Sequence, residues 1–176
     1  MKSFVFTLFI ALSVTVAAQD EIKWMTWDEA LQAQSQEQKV IFVDVYTNWC
    51  GWCKKMDATT FKNPEVVEYM NKHYYAVKFN AESKDTFYLG EQVFVNEGGS
   101  GRRSPHQLAV ALLDGKMSYP SYAFIGQPWN KSVAPGYMGA RDFMCVLRYF
   151  VEGAPNGQTY EEFVNESECR ETAQAQ

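Results

Sequence analysis

Metal-binding spacing is nearly absent from this chain. It holds two histidines and four cysteines in 176 residues. Beyond Cys50-Gly51-Trp52-Cys53, the remaining candidates His73, His106, Cys145 and Cys169 form no second pair. A closed zinc site wants four ligands, so no metal is expected. Covalent haem needs a histidine directly after the second cysteine, and that residue is Lys54. Basic excess is missing too: a net charge of -5 argues against nucleic acid as a partner. After the first 18 residues no stretch is long and apolar enough to span a bilayer, which takes about 20 residues.

The exception among apolar runs is Phe4 to Ala17, preceded by Lys2 and followed by the small residues Val16-Ala17-Ala18. At 14 residues it is short for a spanning helix and reads as a secretory signal peptide cleaved after Ala18. No cysteine follows it to carry a lipid anchor. Cleavage leaves about 158 residues, enough for one domain with a real core. Residues 19–155 are expected to form that domain, and 156–176 a polar tail with at most a short, weakly docked helix at Tyr160 to Phe163.

The chain is organised around Asp44 to Lys54. Val40-Ile41-Phe42-Val43 reads as a buried strand and Lys54-Lys55-Met56 opens a helical pattern, so the two cysteines fall where strand becomes helix. A sulfur in the first turn of a helix faces unpaired N–H groups and the positive end of the macrodipole. Both favour thiolate, so Cys50 is expected to be the nucleophile. Cys53, one turn behind, can close a small disulfide and release a substrate, which makes it the resolving thiol. A purely structural bridge across two residues would remove little unfolded-state entropy. Asp44 interrupts the buried strand; a carboxylate there is costly unless it is paired, protonated or functional. It is read as the proton acceptor for Cys53, through water, or else as a strand-end residue satisfied by backbone.

Around this centre the elements alternate. Trp24-Met25 suggests a first strand, and Thr26-Trp27-Asp28-Glu29 a capping box opening a helix to about Gln36. Asn63-Pro64 caps a further helix, and Tyr75 to Phe79 forms the next strand. Strand-helix-strand-helix-strand is the pattern of an α/β domain with a partly parallel sheet. Thr86 to Val95 reads as an inserted hairpin turning at Gly90-Glu91, within an insertion spanning about 81–104. Arg102 and Arg103 follow in a glycine-rich loop; they could touch an acidic partner, but a solvated loop is the favoured reading. Pro105 to Leu113 makes a helix with His106 as a surface or cap residue. Pro120 begins a strand through Ile125, a short strand surrounds Lys131 to Ala134, and Arg141 to Val151 supplies the last core helix. Cys145 and Cys169 either pair or leave Cys145 buried and free.

These residues together resemble the thioredoxin superfamily. Trp49-Cys50-Gly51-Trp52-Cys53-Lys54 matches its redox signature, Asp44 falls at its buried acid, and Lys78 falls where thioredoxins place a lysine near that acid. Tyr119-Pro120 looks like its cis-proline dipeptide. Thr60 to Val66 resembles secreted thioredoxin-like domains such as the C-terminal domain of the periplasmic electron conductor. The resemblance implies a thioredoxin-like fold, a central mixed sheet flanked by helices, with the hairpin as an addition. It further implies that Trp49, Gly51, Trp52, Tyr119 and Pro120 contact an extended polypeptide substrate. Trp52 replaces the proline of thioredoxins at a position that helps set the potential. Superfamily potentials run from about -270 to about -120 mV, so direction stays open.

The expected protein is thus a periplasmic or secreted thiol–disulfide oxidoreductase acting on protein thiols and disulfides. It needs no cofactor, but it does need an upstream electron donor or acceptor protein. The rival reading is a thioredoxin-fold binding or holdase module whose cysteines are idle.

Overall fold

The computed structural model describes residues 20–98, 103–126, 130–167 and 169. The leader expected over residues 1–18 lies outside them. The elements run β1 (Trp24–Met25), α1 (Trp27–Gln36), β2 (Val40–Tyr46), α2 (Gly51–Ala58), α3 (Pro64–His73) and β3 (Tyr74–Asn80). They continue with β4 (Phe87–Leu89), β5 (Gln92–Phe94), α4 (Gln107–Leu112), β6 (Ser121–Ile125), β7 (Lys131–Pro135), α5 (Ala140–Arg148) and α6 (Tyr160–Glu166).

One five-stranded sheet has the order β1-β3-β2-β6-β7, and β4-β5 form a separate hairpin. β1, β3 and β2 are mutually parallel, β6 runs antiparallel to β2, and β7 runs antiparallel to β6. β2 is central and covered on both faces, which explains its continuous apolar run. Ile41, Val43 and Val45 pack with Trp27, Ala30, Leu108 and Leu112 of α1 and α4. Phe42 points the other way, into a core with Met56, Phe61, Met70, Tyr122, Phe124 and Phe143. Its ring lies 5.4–6.3 Å from those of Trp24, Phe61, Tyr74, Tyr122, Phe124 and Phe143. Asp44, two residues on, shares that face by strand alternation.

Local capping sets the helix starts as expected. The Thr26 hydroxyl accepts from Glu29 N–H and the Glu29 carboxylate from Thr26 N–H, a complete capping box. Asn63 Oδ1 accepts from Glu65 and Val66 N–H, with Pro64 at the first helical position.

The hairpin β4-β5 docks on the main domain. Trp27 Nε1 donates to Tyr88 O at 2.8 Å, and Phe94 is buried against the α1/α4 core. His106 caps α4 as one expectation had it, yet it is fully buried, not on the surface. Its Nδ1 accepts from Leu108 N–H, which leaves Nε2 as the protonated nitrogen, 2.9 Å from Asp85 O. The rings of Phe79 and Phe87 pack edge-on against it. A neutral histidine satisfied on both nitrogens thereby ties the insertion to the sheet.

Part of the expected polar tail, α6 and Cys169, packs back on α5. Cys145 on α5 is bonded to Cys169, and with Phe163, Val164 and Tyr149 they form a third apolar cluster. α5 widens into a π-helical turn over Tyr149–Gly153 before α6 packs back. A Cβ at Gly153 would lie 2.7 Å from the Phe163 ring, so a bare backbone is needed for this approach. Among the described residues no helix is long and apolar enough to cross a membrane.

Candidate functional site

β2 ends at Tyr46, and a tight turn carries the chain into α2: Cys50 N–H donates to Thr47 O at 3.1 Å. Cys50 is the N-cap of α2, and its Sγ accepts from Cys53 N–H at 3.0 Å. The two sulfurs are joined in a disulfide, with Cα atoms 5.3 Å apart. Both cysteines are almost fully buried, at 5% and 3% exposure. The N-cap position matters chemically because a reduced Cys50 would face the Cys53 N–H that now meets its sulfur and the positive end of the helix, and these favour the thiolate.

Asp44 is 1% exposed and lies opposite Lys78 in the parallel β2/β3 register and opposite Tyr122 in the antiparallel β2/β6 register. Its Oδ2 is 3.3 Å from Lys78 Nζ, so it is paired with a cation rather than satisfied by backbone. Oδ1 has no hydrogen-bond partner among the described residues, and neither do the buried Thr47 and Tyr122 hydroxyls. Burial pushes the Asp44 carboxyl up to about 7, against the pull of Lys78 and with a further push from Asp57. Lys78 also contacts the Asp57 carboxylate directly and sits among the rings of Trp24, Tyr46 and Phe61. Burial alone would lower its pKa, but the two carboxylates outweigh that and hold it above the usual lysine value. Near neutral pH the arrangement therefore holds a charged Lys78 in contact with Asp57, and an Asp44 that can take or give a proton.

Of the remaining expected residues, Trp49, Gly51 and Trp52 adjoin the two cysteines in the chain. Trp49 and Trp52 are 48% and 54% exposed and Gly51 is exposed between them. The Trp49 ring meets Tyr119 edge-on at 5.8 Å. The Tyr119–Pro120 peptide is cis, and Pro120 is buried at the start of β6 with its carbonyl accepting from Gly136 N–H at 2.8 Å. A separate concavity, about 770 Å³ and lined by Lys39, Lys72, His73 and Phe150 among others, opens at the end of the sheet where β2 begins. The disulfide lies beyond the other end of β2, away from this concavity.

Several neighbours of this centre were not anticipated. Asp57 was legible in principle, since it follows Cys53 by four residues on one helix and so shares its face. Tyr122 and Tyr137 carried no local signal. Arg103 is exposed, as expected, and its guanidinium lies 4.5 Å over the Trp49 ring. Arg102 lies outside the described residues. Glu82 accepts from Trp49 Nε1 at 2.9 Å. Among the described residues no group of three His, Cys, Asp or Glu side chains could hold a metal ion.

Comparison with known proteins agrees with this fold. The family model Thioredox_DsbH, described as a protein of unknown function, DUF255, matches residues 12–102. A solved DsbH oxidoreductase superposes with a TM-score of 0.55 at 16% identity, covering 83% of this chain and 96% of its own. A proposed disulphide-isomerase from Bacteroides thetaiotaomicron gives a TM-score of 0.55 at 26% identity over 78% of this chain and 98% of that one. Spermatogenesis-associated protein 20 of Rattus norvegicus is 28% identical over 85 residues, 48% of this chain and 11% of the relative. This chain thus spans only about a tenth of the curated relative it matches.

Proposed function

The chain belongs to the Thioredox_DsbH family, and on that premise we propose that it is an exported thiol–disulfide oxidoreductase exchanging disulfides with protein substrates. The observation that carries this reading is the Cys50–Cys53 disulfide at the N-terminus of α2, flanked by the exposed Trp49 and Trp52, with a buried carboxyl raised to near neutrality on the strand that leads to it. Export is supported by the apolar leader and by the second disulfide, since such bonds persist in oxidising compartments.

In the reducing direction, Cys50 thiolate attacks one sulfur of a substrate disulfide. A Cys50–substrate bond forms and the other substrate sulfur leaves as thiolate. Cys53 then gives its proton to Asp44 through water and attacks Cys50 Sγ. The mixed disulfide breaks, the second substrate thiolate departs, and the Cys50–Cys53 bond forms. Two electrons pass from the pair to the substrate, and a partner dithiol protein must restore them. Run backwards, the same steps install a disulfide. Lys78 holds Asp44 in place, and Trp49, Gly51, Trp52, Tyr119 and Pro120 offer the surface on which an extended client lies.

The test is Cys53→Ser. It removes the resolving thiol, so mixed disulfides with client proteins should accumulate on Cys50 and disappear on treatment with reductant. If no adduct forms while the reduced wild type still consumes a disulfide substrate, the division of roles between the two cysteines is wrong. If a Cys50→Ser, Cys53→Ser double variant complements as well as wild type, the chain is a binding module instead.

A further inference from the structure

Each tryptophan beside the reactive pair carries a cation on its ring. On one side of Cys50, Arg103 lies 4.5 Å from the Trp49 centroid, while Glu82 holds the indole nitrogen and Tyr119 packs against the ring. Glu82 and Arg103 stand near the two ends of the insertion, so the added hairpin returns to the main domain at the active rim. On the other side, Lys55 lies 4.8 Å from both the Trp52 and Tyr137 centroids, and those rings are 5.2 Å apart. Among the described residues neither Arg103 nor Lys55 lies within ion-pair distance of a carboxylate, and both are exposed, as is Lys54 beside Cys53. Glu82 is committed to the Trp49 indole and Asp57 to Lys78.

We propose that this rim selects client segments carrying aspartate or glutamate beside the reactive sulfur, with Arg103 and Lys55 as the residues that read the acidic flank. The proposal rests on the oxidoreductase reading and names the substrate class of the same site. A guanidinium laid on an indole has one face covered and its N–H edge turned outward, already ordered for bidentate contact with a carboxylate. Because the ring holds the cation in place, less side-chain freedom is lost on binding than for a free arginine or lysine. The exposed indole and phenol faces accept the apolar part of the same segment. Charge complementarity singles out this surface: the protein as a whole is acidic, at -5, yet the margin around Cys50 presents three exposed cations. An acidic client is repelled elsewhere and attracted here, which sets both approach and register.

The experiment uses protein reduced beforehand and freed of reductant, mixed in single turnover with three disulfides. Two are cystine-linked peptides of identical length, with glutamate or lysine on either side of the cysteine; the third is neutral 2-hydroxyethyl disulfide. Rates are read by acid quench and mass spectrometry. At about 10 mM salt the glutamate peptide should react roughly tenfold faster than the lysine peptide, and the ratio should shrink towards one in about 0.5 M salt. Arg103→Glu with Lys55→Glu should invert the order. Equal rates for the two peptides in the wild type at low salt, with the neutral disulfide consumed, overturn the proposal and leave the oxidoreductase reading standing. Failure to consume any of the three overturns both. The salt dependence of the wild type alone decides the matter should the double variant not fold.

Discussion

Replacing Asp44 with Asn removes a buried charge while preserving shape, and its effect on stability should depend steeply on pH. The native carboxyl is raised from an ordinary 3.8 to about 7, mainly by burial. Between those values the folded protein binds a proton that the unfolded chain has lost. Stability must therefore fall as pH rises through this interval, and the group's contribution is fully favourable only below about pH 4. At about 1.4 kcal/mol per unit, the ionised carboxylate costs on the order of 4 kcal/mol once pH exceeds about 7. Asp44→Asn escapes that cost, and Lys78 keeps Asp57 as its partner. The variant should match the wild type near pH 4 and exceed it by roughly 3–4 kcal/mol at pH 8, equivalent to a Tm gain of about 10 °C. Urea titrations of the oxidised protein at half-unit steps from pH 4 to 8.5 measure the difference directly. A gap between variant and wild type that stays constant over that range would refute the assignment of a proton to Asp44 near neutrality.

Three further outcomes follow from the same geometry. Lys78→Gln removes the main attraction on the Asp44 carboxylate, so the pH midpoint of that stability loss, and of any rate governed by Asp44, should move up by a unit or more; an unchanged midpoint would mean the ion pair is idle. Tyr122→Phe deletes a buried hydroxyl with no partner among the described residues, and should be neutral or stabilising by up to about 1 kcal/mol in denaturant melts, whereas a loss beyond that would point to a bound water as its partner. Cys145→Ser with Cys169→Ser opens a bridge spanning 24 residues of sequence and should cost about 3 kcal/mol, with faster hydrogen exchange confined to α6; protection of α6 at wild-type level would show that its apolar contacts suffice.

The sequence alone determined the features whose causes are local. Thr26 and Glu29 lie three residues apart, so their capping box needs no other part of the chain, and the same holds for Asn63-Pro64. The apolar run from Val40, a Cys-x-x-C at its exit and a helical pattern beyond it placed the disulfide at a strand-to-helix junction before any fold was known. Tertiary structure alone decided which distant side chains meet. Arg103 reaches Trp49 and Glu82 holds its indole because the insertion folds back on the rim. Tyr122 comes to Asp44 through antiparallel register, His106 is buried by rings from two strands, and Cys145 finds Cys169 across a bend in the C-terminal helices. The division has one physical origin. Backbone periodicity and capping act over three or four residues, whereas burial, pKa and ring contacts depend on faces that only a closed sheet brings together.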